Sequence, residues 1–380
     1  MERPEMPQYT AESLILLKDL ESTTNKYLAE KARVSQGTMR KMINRQREVS
    51  ERAAESLSSS MDYPMAFFEH SINAVPVVEL TYRHTSKSSV SELNAVATEY
   101  SILQETVEKL ENAIGVSPDL EWIDAISPRT EKISQDDIEC IASKTRKFLG
   151  LNPSGCIGNL TRCVERKAIV IAPLRTLTCQ GGAEHLHSDG VTYPGLTGSA
   201  AVIGYSPDSS KGDRERFTKA HELGHLILHR HRRPNQYKDM EREAHAFAGA
   251  ILMPRDDVRL LISPETMLSQ LVKLKSTWGM SIASLISRAY QSGIFSKDKW
   301  RSMYMQLSAR GWRKNEPIHV GSEKPILLNS LIKRQYGDGN GLVDSFALEE
   351  GLGIPFRYAD IWSDGLQEQG SDLGFTAMRF

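Results

Sequence analysis

The stretch Arg216-Phe217-Thr218-Lys219-Ala220-His221-Glu222-Leu223-Gly224-His225-Leu226-Ile227-Leu228-His229 decides how the rest of the chain is read. Within it, His221 and His225 stand four residues apart. On a helix that spacing is about 40° of rotation and about 6 Å of rise, so both imidazoles lean from one face toward a common metal ion. Glu222 lies beside them, where a carboxylate can hold and deprotonate a water at the metal. Phe217, Ala220, Leu223, Leu226, Ile227 and Leu228 are apolar, which places the helix in a core. Gly224 costs roughly 1 kcal/mol of helix propensity against Ala, and its presence predicts another element packed close by.

A catalytic tetrahedral Zn2+ takes three protein ligands and leaves one position for water. His231 follows His221 by ten residues, the spacing at which one protease class places a third histidine. That class needs a glycine where this chain has Leu228, and continued helix carries His231 away from the metal. The better source is Met240-Glu241-Arg242-Glu243-Ala244-His245-Ala246-Phe247-Ala248 on the next helical segment. Glu241 and Glu243 lie about 200° apart on a helix, so only one faces the site. Ala244, Ala248, Ile251 and Leu252 lie nearer the Glu241 side, which makes Glu241 the expected third ligand. His245, one turn on, is expected to orient a liganding histidine from behind, with direct coordination as the alternative.

These blocks resemble the ImmA/IrrE family of metallopeptidases: HExxH, then ExxA(N/D)xFA, then an apolar pair and proline, here Leu252-Met253-Pro254. The likeness extends upstream through Gly158-Asn159-Leu160 and the β-like run Ala168–Ala172. Downstream it extends through Leu274–Ser281 and Gly311-Trp312-Arg313, covering roughly Asp136–Pro317. The resemblance implies a zinc peptidase with His221, His225 and Glu241 as ligands and Glu222 as general base. It departs from the family pattern at His245, where Asn or Asp is usual. It also implies that the substrate is another protein, a helix-turn-helix repressor of stress or mobile-element genes, whose cleavage relieves repression.

The first 70 residues read differently. Ala11–Phe68 divides into five short helices. Tyr27–Ala32, capped by Thr24, and Ser35–Asn44 form a helix-turn-helix across Arg33-Val34, held together by Leu28, Ala32, Val34, Met39 and Ile43. That leaves Gln36, Thr38 and Arg40 near base edges and Lys41, Arg45 and Arg47 near phosphates of double-stranded DNA. Between Lys26 and Arg52 eight basic residues face three acidic ones, a local charge of +5 in a chain whose net charge is −1. The block resembles an XRE/Cro-type helix-turn-helix, with Arg33 where that family has a turn glycine.

The expected fold class is therefore α+β: an all-α helix-turn-helix domain (1–70), then a helical linker or spacer (71–130). A mainly helical zincin-like metallopeptidase domain with a small β-sheet follows (131–317), and a C-terminal region of unknown role (318–380) ends the chain. Apolar positions at helical spacing over Leu93–Ile114 mark a long amphipathic helix, a spacer or a dimerisation helix, and the homodimer stays open. The strand near Ala200–Tyr205 is expected to offer its edge to a substrate strand. His185 and His187, in the Gly- and His-rich stretch 179–198, are read as solvated loop residues, with a place in the cleft as the alternative.

No apolar run approaches the length of a membrane span, and the N-terminus lacks the pattern of a signal peptide. The four cysteines show no metal-knuckle or redox spacing and read as reduced thiols, so a cytoplasmic protein is expected. The functional reading is a zinc-dependent endopeptidase with its own DNA-binding domain. The rival is a DNA-binding regulator whose zinc is structural or sensory. The intact Glu222 stands against that rival, because a metal clamp has no use for a base beside two histidines. A third possibility is a helix-turn-helix that recruits a partner repressor rather than DNA.

Overall fold

The computed structural model describes residues 9–72, 74–81, 89–177, 189–195, 200–207, 211–234 and 236–369. His185, His187 and Cys179 lie outside them. The described residues are mostly helical, with one three-stranded sheet.

The N-terminal part begins with α1 (Ala11–Leu20), α2 (Asn25–Lys31), α3 (Gln36–Ile43) and α4 (Glu51–Met61), followed by a 3₁₀ turn at Met65–Glu69. Caps set the boundaries. Thr24 Oγ1 accepts from the Tyr27 N–H, and Ser35 Oγ accepts from the Thr38 N–H. Between α2 and α3 the chain turns through Arg33, at a left-handed φ of 54°. Glycine takes that conformation at no steric cost, and here Arg33 takes it in glycine's place.

Ser89 and Glu92 form a reciprocal capping box that opens α5 (Val90–Ile114), three residues earlier than the apolar spacing suggested. The α5 helix is no exposed spacer. Val96, Tyr100, Leu103, Val107 and Leu110 are buried, and the apolar face is covered within the chain. The short α6 (Glu121–Ile126), α7 (Gln135–Phe148) and α8 (Leu160–Glu165) lead into the sheet.

The strands are β1 (Ile169–Pro173), β2 (Gly190–Thr192) and β3 (Ala201–Tyr205), in the order β1-β3-β2. β3 pairs parallel with β1 and antiparallel with β2. Successive side chains on a strand point to opposite faces. Val170, Ala172 and Val202 accordingly enter one core with α5, and Ile169, Ile171 and Ile203 enter another. Both faces are buried, which is why these strands read as unbroken apolar runs. The expectation for Ala200–Tyr205 fails here: β3 is the central strand, hydrogen-bonded on both sides, and the edge next to the histidines belongs to β2.

On the second face lie α9 (Gly212–Leu228), α10 (Tyr237–Leu252) and α11 (Arg255–Leu261), followed by α12 (Leu268–Trp278), α13 (Ile282–Gln291) and α14 (Lys297–Ala309). The segment after α14 crosses back over α9. There Arg216 Nη1 donates to Glu323 Oε1 at 2.6 Å and Lys219 Nζ donates to the Glu323 carbonyl at 2.6 Å.

The C-terminal region is built into the first core rather than hanging from it. It contains α15 (Leu327–Tyr336), α16 (Ser345–Leu352) and α17 (Phe356–Trp362). Trp362 Nε1 donates to Glu99 Oε1 on α5 at 2.9 Å. Tyr358 OH donates to Glu21 Oε1 at 3.0 Å, and His70 Nε2 meets the Gly353 carbonyl oxygen at 3.0 Å. Among the described residues no helix is long and apolar enough to cross a membrane.

Candidate metal centre

The site is made where α9 and α10 touch. Gly224 permits the contact, because a Cβ added there would sit 2.9 Å from Phe247 Cδ1 and 3.3 Å from the Ala244 carbonyl oxygen. The close neighbour expected from the glycine is thus α10, which carries Glu241.

His221, His225 and Glu241 each present one donor atom, and these atoms all lie within 4.8 Å of one another. The two Nε2 atoms are 3.0 Å apart, and Glu241 oxygens stand 3.4 Å from His221 Nε2 and 3.2 Å from His225 Nε2. Tetrahedral zinc with bonds of 2.0–2.1 Å separates neighbouring donors by roughly 3.3 Å. The donor set therefore fits that ion in both chemistry and spacing. Burial lowers the His225 pKa to about 4, which keeps it in the neutral form a metal requires. Burial pushes Glu241 upward, but the two imidazoles beside it outweigh that and hold the carboxylate ionised.

Behind His225 stands a hydrogen-bonded chain that the sequence reading missed. His225 Nδ1 and His229 Nδ1 are 2.9 Å apart, and His229 Nε2 is 3.2 Å from Glu243 Oε2. Arg232 Nη1 donates to the same Glu243 oxygen at 2.6 Å. With neutral rings, the arrangement that satisfies every member has His229 Nε2–H donating to the carboxylate. His229 Nδ1 then accepts from His225 Nδ1–H, which leaves the His225 Nε2 lone pair facing the donor cluster. His229 is fully buried one turn beyond His225, and its sequence signal was that same four-residue repeat.

That chain takes the place behind His225 expected for His245. His245 is instead exposed on the cleft rim, its ring 4.8 Å from that of Phe217. His231 does turn away, but not on continued helix. The α9 helix stops at Leu228, and His231 Nε2 lies 2.8 Å from Asp124 Oδ1.

Glu222 is buried, packed under the β2 edge strand. A Cβ on Gly190 would come within 2.7 Å of Glu222 Cγ, so only glycine lets the strand lie this close. Burial and then the Glu241 charge raise the Glu222 carboxyl well above the usual carboxylate range, against a hydrogen bond from Thr81. Such a shift suits a group that must take up and release a proton. A cleft of about 420 Å³ opens over Gly190, His221, Glu222 and Glu241. A neighbouring pocket of about 490 Å³ is walled by Ile133, Ile138, Tyr290 and Trp300 and shares Arg242 and His245 with the first.

At the other end of the chain, Gln36, Arg40 and Lys41 are exposed on α3, and Arg47 is exposed just beyond it. Thr38 is half-buried, its Oγ1 3.0 Å from Ser35 Oγ, and Arg45 is ion-paired to Glu12 at 2.6 Å. Cys140, Cys156 and Cys163 are free thiols.

No curated protein matches the chain. Residues 172–290, which hold β2, β3, α9, α10 and all three donors of the cluster, match the Peptidase_M78 family model, described as the IrrE N-terminal-like domain.

Proposed function

We propose that the protein is a zinc-dependent endopeptidase that carries its own DNA-binding module and regulates transcription by cleaving a repressor protein. The observation that carries this reading is the convergence of His221, His225 and Glu241 donor atoms beside a buried Glu222 at the floor of an open cleft. His221, His225 and Glu241 hold the ion. Zinc bound there supplies Lewis acidity that acidifies water and polarises a carbonyl. Glu222 takes the proton from the attacking water and delivers it to the leaving amine. The outer edge of β2 aligns an extended substrate by strand addition, and the pocket walled by Tyr290 and Trp300 suits an apolar side chain of that substrate.

New protein N-termini in cells expressing wild type or Glu222→Gln test the activity. Termini made only by wild type and concentrated in one or a few proteins establish the peptidase and identify its substrate. No difference, with zinc bound in both forms, leaves a non-proteolytic metal-dependent regulator.

The exposed basic face of α3 supports the second half of the reading. Gln36 and Arg40 reach base edges, and Lys41 and Arg47 reach phosphates. A salt titration of duplex binding checks it, because each phosphate neutralised steepens the logarithmic slope by about 0.9. A flat salt response points to a protein partner for this module.

A further inference from the structure

The outer edge of β2 already has an occupant. Thr81 forms an antiparallel bridge with Thr192. The Thr81 N–H donates to the Thr192 carbonyl at 2.9 Å, and the Thr192 N–H reaches Thr81 Oγ1 at 3.3 Å. The other edge of β2 is taken by β3, so this is the side on which an incoming extended peptide adds. The Thr81 hydroxyl also lies 3.2 Å from Glu222 Oε2, on the base itself.

The residues before Thr81 are pinned. Leu80 is buried in the first core, Glu79 accepts a hydrogen bond from Tyr193 OH at 3.1 Å, and the Val75 N–H donates to Ser101 Oγ at 2.8 Å. Thr81 is itself buried. The segment runs on directly from the N-terminal helices, whose last anchor is His70 between Glu105 and Gly353.

We infer that Glu79–Thr81 is an internal strap that competes with substrate for the β2 edge and holds the peptidase latent until it is displaced. The inference rests on the peptidase reading. A substrate strand that pairs with Thr192 must remove the Thr81 backbone from it, and the same movement frees Glu222 from the Thr81 hydroxyl. Because the strap continues from the N-terminal module, anything that shifts that module pulls on it.

The test uses the zinc-loaded full chain acting on a proteome-derived peptide library, with new amino termini counted over time. Thr81→Pro removes the backbone donor and the hydroxyl together, and Thr81→Val removes the hydroxyl alone. Both sit outside the metal ligands, and circular dichroism and zinc content confirm that each variant is folded and loaded. Thr81→Pro is expected to cleave about tenfold faster than wild type, as when a site closed about nine-tenths of the time is opened, with Thr81→Val in between. Every cleavage should vanish when Glu222→Gln is added. Equal rates in wild type and Thr81→Pro overturn the strap and leave the peptidase standing. Slower cleavage by both variants also overturns it, and makes Thr81 a residue that positions the base. Cleavage by none of the forms sinks the peptidase reading and the strap with it.

Discussion

The Nδ1 atoms of His225 and His229 face each other at 2.9 Å, so the orientation of one histidine of the donor cluster is set by another histidine one helical turn away. Glu243 and Arg232 fix the second ring in turn.

Removing that support should loosen the site without touching the donor cluster itself. His229→Ala is expected to weaken zinc binding about 10–100-fold, and Glu243→Gln should act in the same direction. Competition with a chromophoric chelator measures it. Wild-type affinity in His229→Ala sinks the positioning role, and full rescue by an unrelated surface substitution would point to general destabilisation instead.

Glu222→Gln should stabilise the metal-free protein, and the gain should depend on pH. Burial raises the folded-state pKa of Glu222 above its ordinary 4.5, so between the two values the folded protein holds a proton that the unfolded chain has lost. Wild-type stability from this group is complete below about 4.5 and declines as pH rises, whereas glutamine carries no such titration. Urea midpoints of the two proteins should converge near pH 4 and separate toward pH 8. A separation that does not vary with pH contradicts the burial argument.

His225 works in the opposite sense. Its folded pKa of about 4 lies below the ordinary 6.5, so between these values the unfolded chain binds the extra proton. The stability it contributes is complete above about 6.5 and is lost as pH falls toward 4, on the order of 3 kcal/mol in metal-free protein. A thermal melt series across that window should steepen for wild type and flatten for His225→Gln. Identical profiles would show that the imidazole is not desolvated.

Gly224→Ala places a methyl group against Phe247 Cδ1 at 2.9 Å and the Ala244 carbonyl at 3.3 Å. Helix propensity favours the change by roughly 1 kcal/mol, but overpacking at a helix–helix contact costs about 1–3 kcal/mol. The net expectation is a lower melting temperature with weaker zinc binding, since the Glu241 helix is pushed off. An unchanged or raised melting temperature would mean that the two helices separate freely.

Much of the donor cluster was legible because helical spacing turns directly into geometry. The four-residue repeat gives one face, and the glycine signals a neighbour. Glu241 rather than Glu243 lies with the two histidines, as expected from the apolar side of α10. Less legible was anything set by contacts between distant segments. His245 and His229 both sit one turn from a site residue, and only the packed structure decides which one is buried behind His225 and which lies on the rim. β3 reads like any apolar strand, and its place at the centre of the sheet depends on where β1 and β2 come to rest. Thr81 carries no local signal at all, since its meaning comes from Thr192 and Glu222 across more than a hundred residues.

The seating of the last helices has a consequence for synthesis. One core joins buried residues from Leu14 to Trp362, while the buried residues of the other run from Trp122 to Leu307. A chain emerging from the ribosome can close the second core, with its donor cluster, while the first still lacks α15–α17. The N-terminal helices then wait for partners that are translated later, with the high contact order that slows folding. Nascent chains would hold an assembled donor cluster before the module in front of it is locked down, and a messenger cut short after Lys324, which keeps the Glu323 contacts to α9, would leave them permanently in that condition.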